Sequence, residues 1–307
     1  MTVDCRNCGS ERCHLRATGL VAPFFLKRVF GINLSDLGEV LRVQNQAPCI
    51  EHMGKNGLHG LFDFKSPALA VSRVCENCGF VGPDMRYPHE MLQRLYVDYR
   101  SDAYNEERCG YEPQYKEIQH LVGKDPQERS VRLNNLELLL TNELDLNGIH
   151  SVLDWGGGEG LFIPPCLEGK DVYILDISNE PLRNESFTRI SEPSPGKLFD
   201  LILVAHVLEH VSSPLEFVEE VLSHLKPGGF LYIEVPQDQS DENIELFNLS
   251  PESINHWIHE HLNLFCEHSL VHLGDALVLH RVRIKKNDVD VGWIKGTHLA
   301  GLFQKLV

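Results

Sequence analysis

From about residue 148 onward, short apolar runs alternate with turn-rich segments and amphipathic stretches, the spacing expected of an α/β protein built on a largely parallel sheet. His150 to Leu153, 171–175, Phe187 to Ile190, Leu198 to Val204 and Phe230 to Val235 each read as strands, the fourth apolar enough to be buried on both faces. Ser191-Glu192-Pro193-Ser194-Pro195-Gly196 is a loop by composition. Ser213, Pro214 and Glu216 form a capping-box helix start; Leu215, Val218, Val221, Leu222 and Leu225 mark its buried face, and Lys226-Pro227-Gly228-Gly229 its stop. Leu277 to Ile284 and His298 to Lys305 pair as the last two strands across a turn at Asn287 to Gly292. Earlier, Val131, Leu133, Leu136, Leu139 and Leu140 give residues 112–147 a helical face that ends at Asn147-Gly148.

The densest chemistry lies in Val152-Leu153-Asp154-Trp155-Gly156-Gly157-Gly158-Glu159-Gly160, a strand running into an acidic residue and a glycine-rich turn expected to open a helix. The dinucleotide spacing Gly-x-Gly-x-x-Gly fails, because Leu161 occupies its third glycine position. What remains is Asp154-x-Gly156-x-Gly158-x-Gly160, with Asp176 ending the next strand about 20 residues on, where a carboxylate accepts ribose hydroxyls. That pattern describes a nucleotide-type pocket.

On these residues, and on Phe199 to Val204, Val207-Leu208-Glu209-His210-Val211 and Leu225 to Phe230, the chain resembles the class I, Rossmann-like S-adenosylmethionine-dependent methyltransferases. The resemblance implies a doubly wound seven-stranded sheet over 148–307. It also implies S-adenosyl-L-methionine as cofactor, held by Asp154, Gly156, Gly158, Gly160 and Asp176, with His206 in the same set. Histidines crowd the segments that follow strands four and five: His206 and His210 with Glu209, then His256, His259 and His261 with Glu260. An imidazole beside a carboxylate is suited to removing an acceptor's proton, so the expected catalytic residues are His261 with Glu260, and His210.

The first hundred residues carry different chemistry. Cys5-x-x-Cys8-Gly9 and Cys75-x-x-Cys78-Gly79 are matched knuckles, and four such thiolates suit a closed structural zinc site; Cys13 and His14 offer substitute ligands. The intervening segment is long enough to hold its own secondary structure. A module of this kind ahead of a methyltransferase domain is similar to that of the deoxysugar C-methyltransferases and related small-molecule enzymes. In that resemblance Tyr99, Tyr104 and Tyr111 line the substrate mouth, while Ile258 stands where the group commonly carries a tyrosine. The expected organisation is a zinc-binding module over 1–100, a helical connector and lid over 101–147, and the methyltransferase domain over 148–307.

Charge narrows the substrate. The formal net charge of the 307 residues is −16, yet residues 1–100 carry 12 Lys and Arg against 10 Asp and Glu, so the acidic excess falls on the later part. Such a field repels phosphate backbones and favours a small-molecule or carbohydrate-linked acceptor, methylated at oxygen or carbon, over nucleic acid. The rival readings are a non-catalytic binding module of the same fold and a methyltransferase acting on RNA or protein. Nine cysteines without a basic, then apolar, leader favour reduced thiols, and with no apolar run of membrane-spanning length the expectation is a cytoplasmic protein.

Overall fold

The computed structural model describes residues 4–31, 68–99, 101–178, 181–237 and 256–307. Among these residues eleven strands form two sheets. The smaller contains β1 (Cys13–Val21), β2 (Ala68–Cys75), β3 (Val81–Pro83) and β9 (His256–Ile258), in the order β3-β2-β1-β9. Here β9, from far along the chain, runs parallel to β1, with Val21 opposite Ile258. Part of the segment between the knuckles, residues 32–67, lies outside the described residues.

The larger sheet contains β4 (Ser151–Trp155), β5 (Asp171–Leu175), β6 (Thr188–Ile190), β7 (Phe199–Ala205), β8 (Leu225–Pro236), β10 (His280–Asp290) and β11 (Lys295–Gln304). Its order is β10-β11-β8-β7-β4-β5-β6, parallel from β8 to β6 and antiparallel where β11 meets β8 and β10. The strand order reverses between β4 and β7, the switch point outside whose carboxyl ends the ligand crevice of such sheets lies.

Alternation along the strands divides the core in two. Val152, Val172, Leu201, Leu203, Tyr232 and Leu302 face one side and pack under Leu136, Leu139 and Leu140 of an 18-residue helix, Pro126–Glu143. Leu153, Phe199, Ile202, Val204, Leu231 and Ile233 face the other. There they meet Val218 and Val221 of the helix Pro214–Ser223, and Leu270 and Leu273 of the helix Glu267–Ala276. The same core takes in Cys5, Cys75, Cys78 and Phe80, so the knuckles are packed into it.

Several local expectations are corrected. The glycine turn after β4 opens no α-helix; the chain passes through a 3-10 turn, Pro165–Leu167, and enters β5, because Pro164 and Pro165 interrupt an already short connection. The helical reach of 112–147 condenses to a single turn at Tyr115–Ile118 and the helix Pro126–Glu143, which starts at Pro126 because the Asp125 carboxylate accepts from the Gln127 and Glu128 amides. Ser213 begins its helix without a side-chain cap. Lys226-Pro227-Gly228-Gly229 does not stop that helix, which ends at Ser223; it forms an irregular entry into β8, tied by Lys226 Nζ to Asp200 Oδ1 at 2.7 Å.

The span Leu277 to Ile284 is strand only from His280, preceded by the helix Glu267–Ala276, and the hairpin turns beyond Asp290 rather than at Asn287, which pairs with His298. Among the described residues no helix is long and apolar enough to cross a membrane.

Candidate active site and cysteine centre

The switch-point crevice is walled by the glycine turn. Gly156, Gly158 and Gly160 all have φ between 53° and 82°, the left-handed region that side chains avoid. A Cβ on Gly156 would lie 2.4 Å from Val207 Cγ2, so the turns after β4 and β7 touch, whereas a Cβ on Gly158 would meet no described atom within 4 Å. Asp154 lies beneath this turn, 1 % exposed, and its Oδ2 has no hydrogen-bond partner among the described residues. Burial first, and then the charge of Asp176, push its carboxyl up to about 7, against the pull of Arg132. Asp176 closes the far side, accepting from the Gly158 amide at 2.8 Å and the Ser178 amide at 2.7 Å.

These features fit the cofactor that the sequence implies. A ribose needs a carboxylate at the end of β5, a cofactor against the backbone needs open space above a glycine, and a cationic group suits a buried carboxylate oxygen without a donor. Asp154, Gly156, Gly158, Gly160 and Asp176 therefore surround one crevice.

His206 follows β7 with φ 56°. Its ring lies between two buried carboxylates, Nε2 3.2 Å from Glu234 Oε1 and Nδ1 3.4 Å from Glu209 Oε1. Glu234 also accepts from Arg132 Nε and the Tyr232 hydroxyl, both at 2.7 Å. Burial works against its charge, but Arg132 and His206 hold it well below the usual carboxylate range. Burial and Arg132 hold His206 well below the ordinary histidine value, against the pull of Glu234.

Next to it lie the expected catalytic histidines. His210 and His261 rings are 5.0 Å apart, edge to face, and His259 lies 4.9 Å from His261. Burial and the neighbouring His261 lower His259 well below its ordinary value. The carboxylate grouped with His210 and His261 is that of Glu209, which is fully buried.

The Glu260 side chain is engaged with the N-terminal part. Its Oε1 accepts from Arg108 Nη1 and from the Tyr104 hydroxyl at 3.1 Å, and Oε2 from Tyr99 at 3.4 Å, while its backbone carbonyl lies 2.8 Å from His210 Nδ1. Arg108 and Tyr104 belong to the helix Asp102–Tyr111, and Arg108 also binds Glu112 at 2.8 Å. Two of the tyrosines expected at the substrate mouth thus touch Glu260, next to the expected catalytic His261. Sequence spacing offered no signal for Arg108, Arg132 or Glu234.

At the cysteine centre, Cys5 Sγ lies 3.8 Å from Cys78 Sγ and Cys8 Sγ 3.8 Å from Cys75 Sγ, and all four sulfurs fall within 4.8 Å of one another. Around tetrahedral zinc with bonds of about 2.3 Å, sulfurs stand roughly 3.8 Å apart, so the donor set fits. Both knuckles are closed alike, Gly9 N to Cys5 O and Gly79 N to Cys75 O at 2.8 Å each. Cys13 Sγ points to Ser10 O at 3.7 Å and His14 pairs with Glu76 at 2.6 Å, outside the set of four.

Sheet order, switch-point crevice and glycine turn define the class I, S-adenosylmethionine-dependent methyltransferase fold. A family model described as a methyltransferase domain matches residues 109–277, more than half of the chain, and the chain belongs to that family. The chain is also similar to two proteins called ubiquinone biosynthesis O-methyltransferase. That of Parvibaculum lavamentivorans is 30 % identical over 96 residues, 26 % of this chain and 38 % of the relative. That of Rickettsia prowazekii is 26 % identical over 112 residues, 32 % and 44 % of the two chains. The chain thus covers about two fifths of the length of these relatives. Among solved structures, 1,6-didemethyltoxoflavin-N1-methyltransferase of Burkholderia thailandensis superposes with a TM-score of 0.47 at 17 % identity, covering 74 % of this chain and 96 % of that one. The N-methyltransferase NodS of Bradyrhizobium japonicum gives 0.41 at 18 % identity, covering 60 % and 98 %.

Proposed function

We propose that the protein transfers a methyl group from S-adenosyl-L-methionine to an oxygen of a small-molecule acceptor. The observation that carries this reading is the crevice at the switch point: a left-handed glycine turn with open space at Gly158, Asp176 at its rim, and a buried, undonated Asp154 oxygen beneath it. Oxygen is favoured over carbon because the relatives that the chain matches in sequence are called O-methyltransferases and because the neighbouring cluster is rich in groups that handle a hydroxyl proton.

When bound, the cofactor supplies an electrophilic methyl group. The chain's own residues do the rest. Asp176 takes the ribose hydroxyls, Gly156, Gly158 and Gly160 let the cofactor lie against the backbone, and His206 closes the crevice from β7. His210 and His261 face the acceptor and assist loss of its proton; Glu260, anchored by Arg108, holds their segment at the working distance. The four cysteines Cys5, Cys8, Cys75 and Cys78 hold a structural zinc that fixes the N-terminal module against the sheet.

Calorimetry with S-adenosylhomocysteine on zinc-replete protein tests the cofactor site: saturable binding is expected, lost in Asp176→Ala. Transfer of labelled methyl to a panel of phenols, catechols and sugars tests the acceptor class. Absence of cofactor binding by the folded protein would overturn the reading.

A further inference from the structure

We propose that Glu209, His210 and His261 bind a divalent first-row metal cation beside the acceptor crevice, a second metal site distinct from the four cysteines. One donor atom from each residue lies within 4.8 Å of the others. The ligands come from two segments whose approach is fixed by other bonds. Leu262 N and Asn263 N donate to the Glu209 carbonyl at 2.7 and 3.1 Å, and Asn263 Nδ2 donates to Leu208 O at 2.8 Å and Val211 O at 2.6 Å.

The placement of hydrogen on His210 points to the cation. Its Nδ1 is 2.8 Å from the Glu260 carbonyl, which only accepts, so Nδ1 carries the hydrogen. Its other ring nitrogen, Nε2, faces Glu209 Oε1 at 3.8 Å. With metal–ligand bonds of about 2.1 Å, neighbouring donors stand roughly 3 to 4 Å apart, the range in which this pair falls. An imidazole N–H directed at a backbone carbonyl is also the usual outer support of a ligating histidine. The groups facing Glu209 include His206, whose Nδ1 is 3.4 Å away, and His261 in turn faces the His259 ring at 4.9 Å.

A separate observation lies next door. Tyr96 packs edge-on against His210 at 5.9 Å, and its buried hydroxyl has no hydrogen-bond partner among the described residues. A water or acceptor oxygen on the cation supplies that partner. Two imidazoles and one carboxylate leave coordination positions open and suit zinc, manganese or iron. The inference rests on the proposed function only for the acceptor's location; there the cation polarises the acceptor oxygen, and His210 and His261 assist as ligands.

The test is a titration with Mn(II) of protein loaded with a single zinc per chain at the cysteine centre, followed by electron paramagnetic resonance, since manganese competes poorly for thiolates. One manganese per chain is expected, weakened about tenfold or more in both Glu209→Gln and His261→Gln. His261→Gln alone decides the matter where the buried Glu209 variant does not fold. No manganese binding, or binding that survives these substitutions, overturns the proposal. Binding lost instead in His298→Gln also overturns it, by placing the ion at the neighbouring His206, Glu234 and His298. S-adenosylhomocysteine affinity, measured alongside, reports on the cofactor site independently.

Discussion

Gly156 and Val207 interlock: the turn after β4 passes so close to the turn after β7 that a single added carbon at Gly156 would lie 2.4 Å from Val207 Cγ2. The contact predicts that Gly156 and Gly158 respond differently to an added side chain.

Gly156→Ala combines the steric conflict with φ 82° and is expected to cost about 2–4 kcal/mol of stability, together with cofactor affinity. Gly158→Ala meets no described atom within 4 Å and should cost only about 1–2 kcal/mol for its left-handed backbone, while still obstructing the ligand. Denaturant melts of the two variants, with S-adenosylhomocysteine titrations, check the order. Equal destabilisation would contradict the contact.

Asp154 gives the ligand-free protein a pH signature. Its folded carboxyl titrates at about 7, above the ordinary value of 3.8, so between those pH values the folded state keeps a proton that the unfolded chain has released. Its contribution therefore favours folding at low pH and is lost as pH rises through about 7, by about 1.4 kcal/mol per pH unit within that window. Asp154→Asn should be more stable than the parent at pH 8 and lose that advantage near pH 4. A constant difference in melting temperature across this range would rule out the assignment.

Arg108→Met leaves Glu260 and Glu112 buried, about 5–8 % exposed, without their shared cation. Removing one partner of a buried pair costs about 3–5 kcal/mol, and here it also frees the segment that carries His261. The expected result is a lower unfolding midpoint and faster amide exchange over residues 259–262. Arg12→Met, whose guanidinium binds Asn77 on the exposed surface, serves as the control.

The cysteine centre predicts metal content by residue. Cys78→Ser should abolish stoichiometric zinc and lower the melting temperature sharply, because Cys78 is fully buried in the main core. Cys13→Ser and His14→Ala should retain one zinc per chain. Elemental analysis after gel filtration distinguishes these outcomes.

The chain's local patterns carried the strand positions, the glycine turn with Asp154 and Asp176, and the matched knuckles. Each depends on residues close in sequence, so periodicity, turn chemistry and spacing suffice to reveal it. Helix ends and connections were less legible: Pro164 and Pro165 suppress a helix after β4, and Asp125, rather than the apolar face, decides where the long helix starts.

Only the tertiary structure decided which charges meet. Glu260 stands next to His261 in sequence, yet its carboxylate binds Arg108 and Tyr104, while Glu209, from another strand end, joins His210 and His261. Adjacent side chains on an extended segment point to opposite sides, so neighbours in sequence are parted and a partner is supplied by whichever element packs there. The same holds for the knuckles, whose four sulfurs were readable as a set, but whose burial in the core of the larger sheet follows from packing between distant segments. Sequence determined the kinds of chemistry available; long-range packing fixed which groups act on one another.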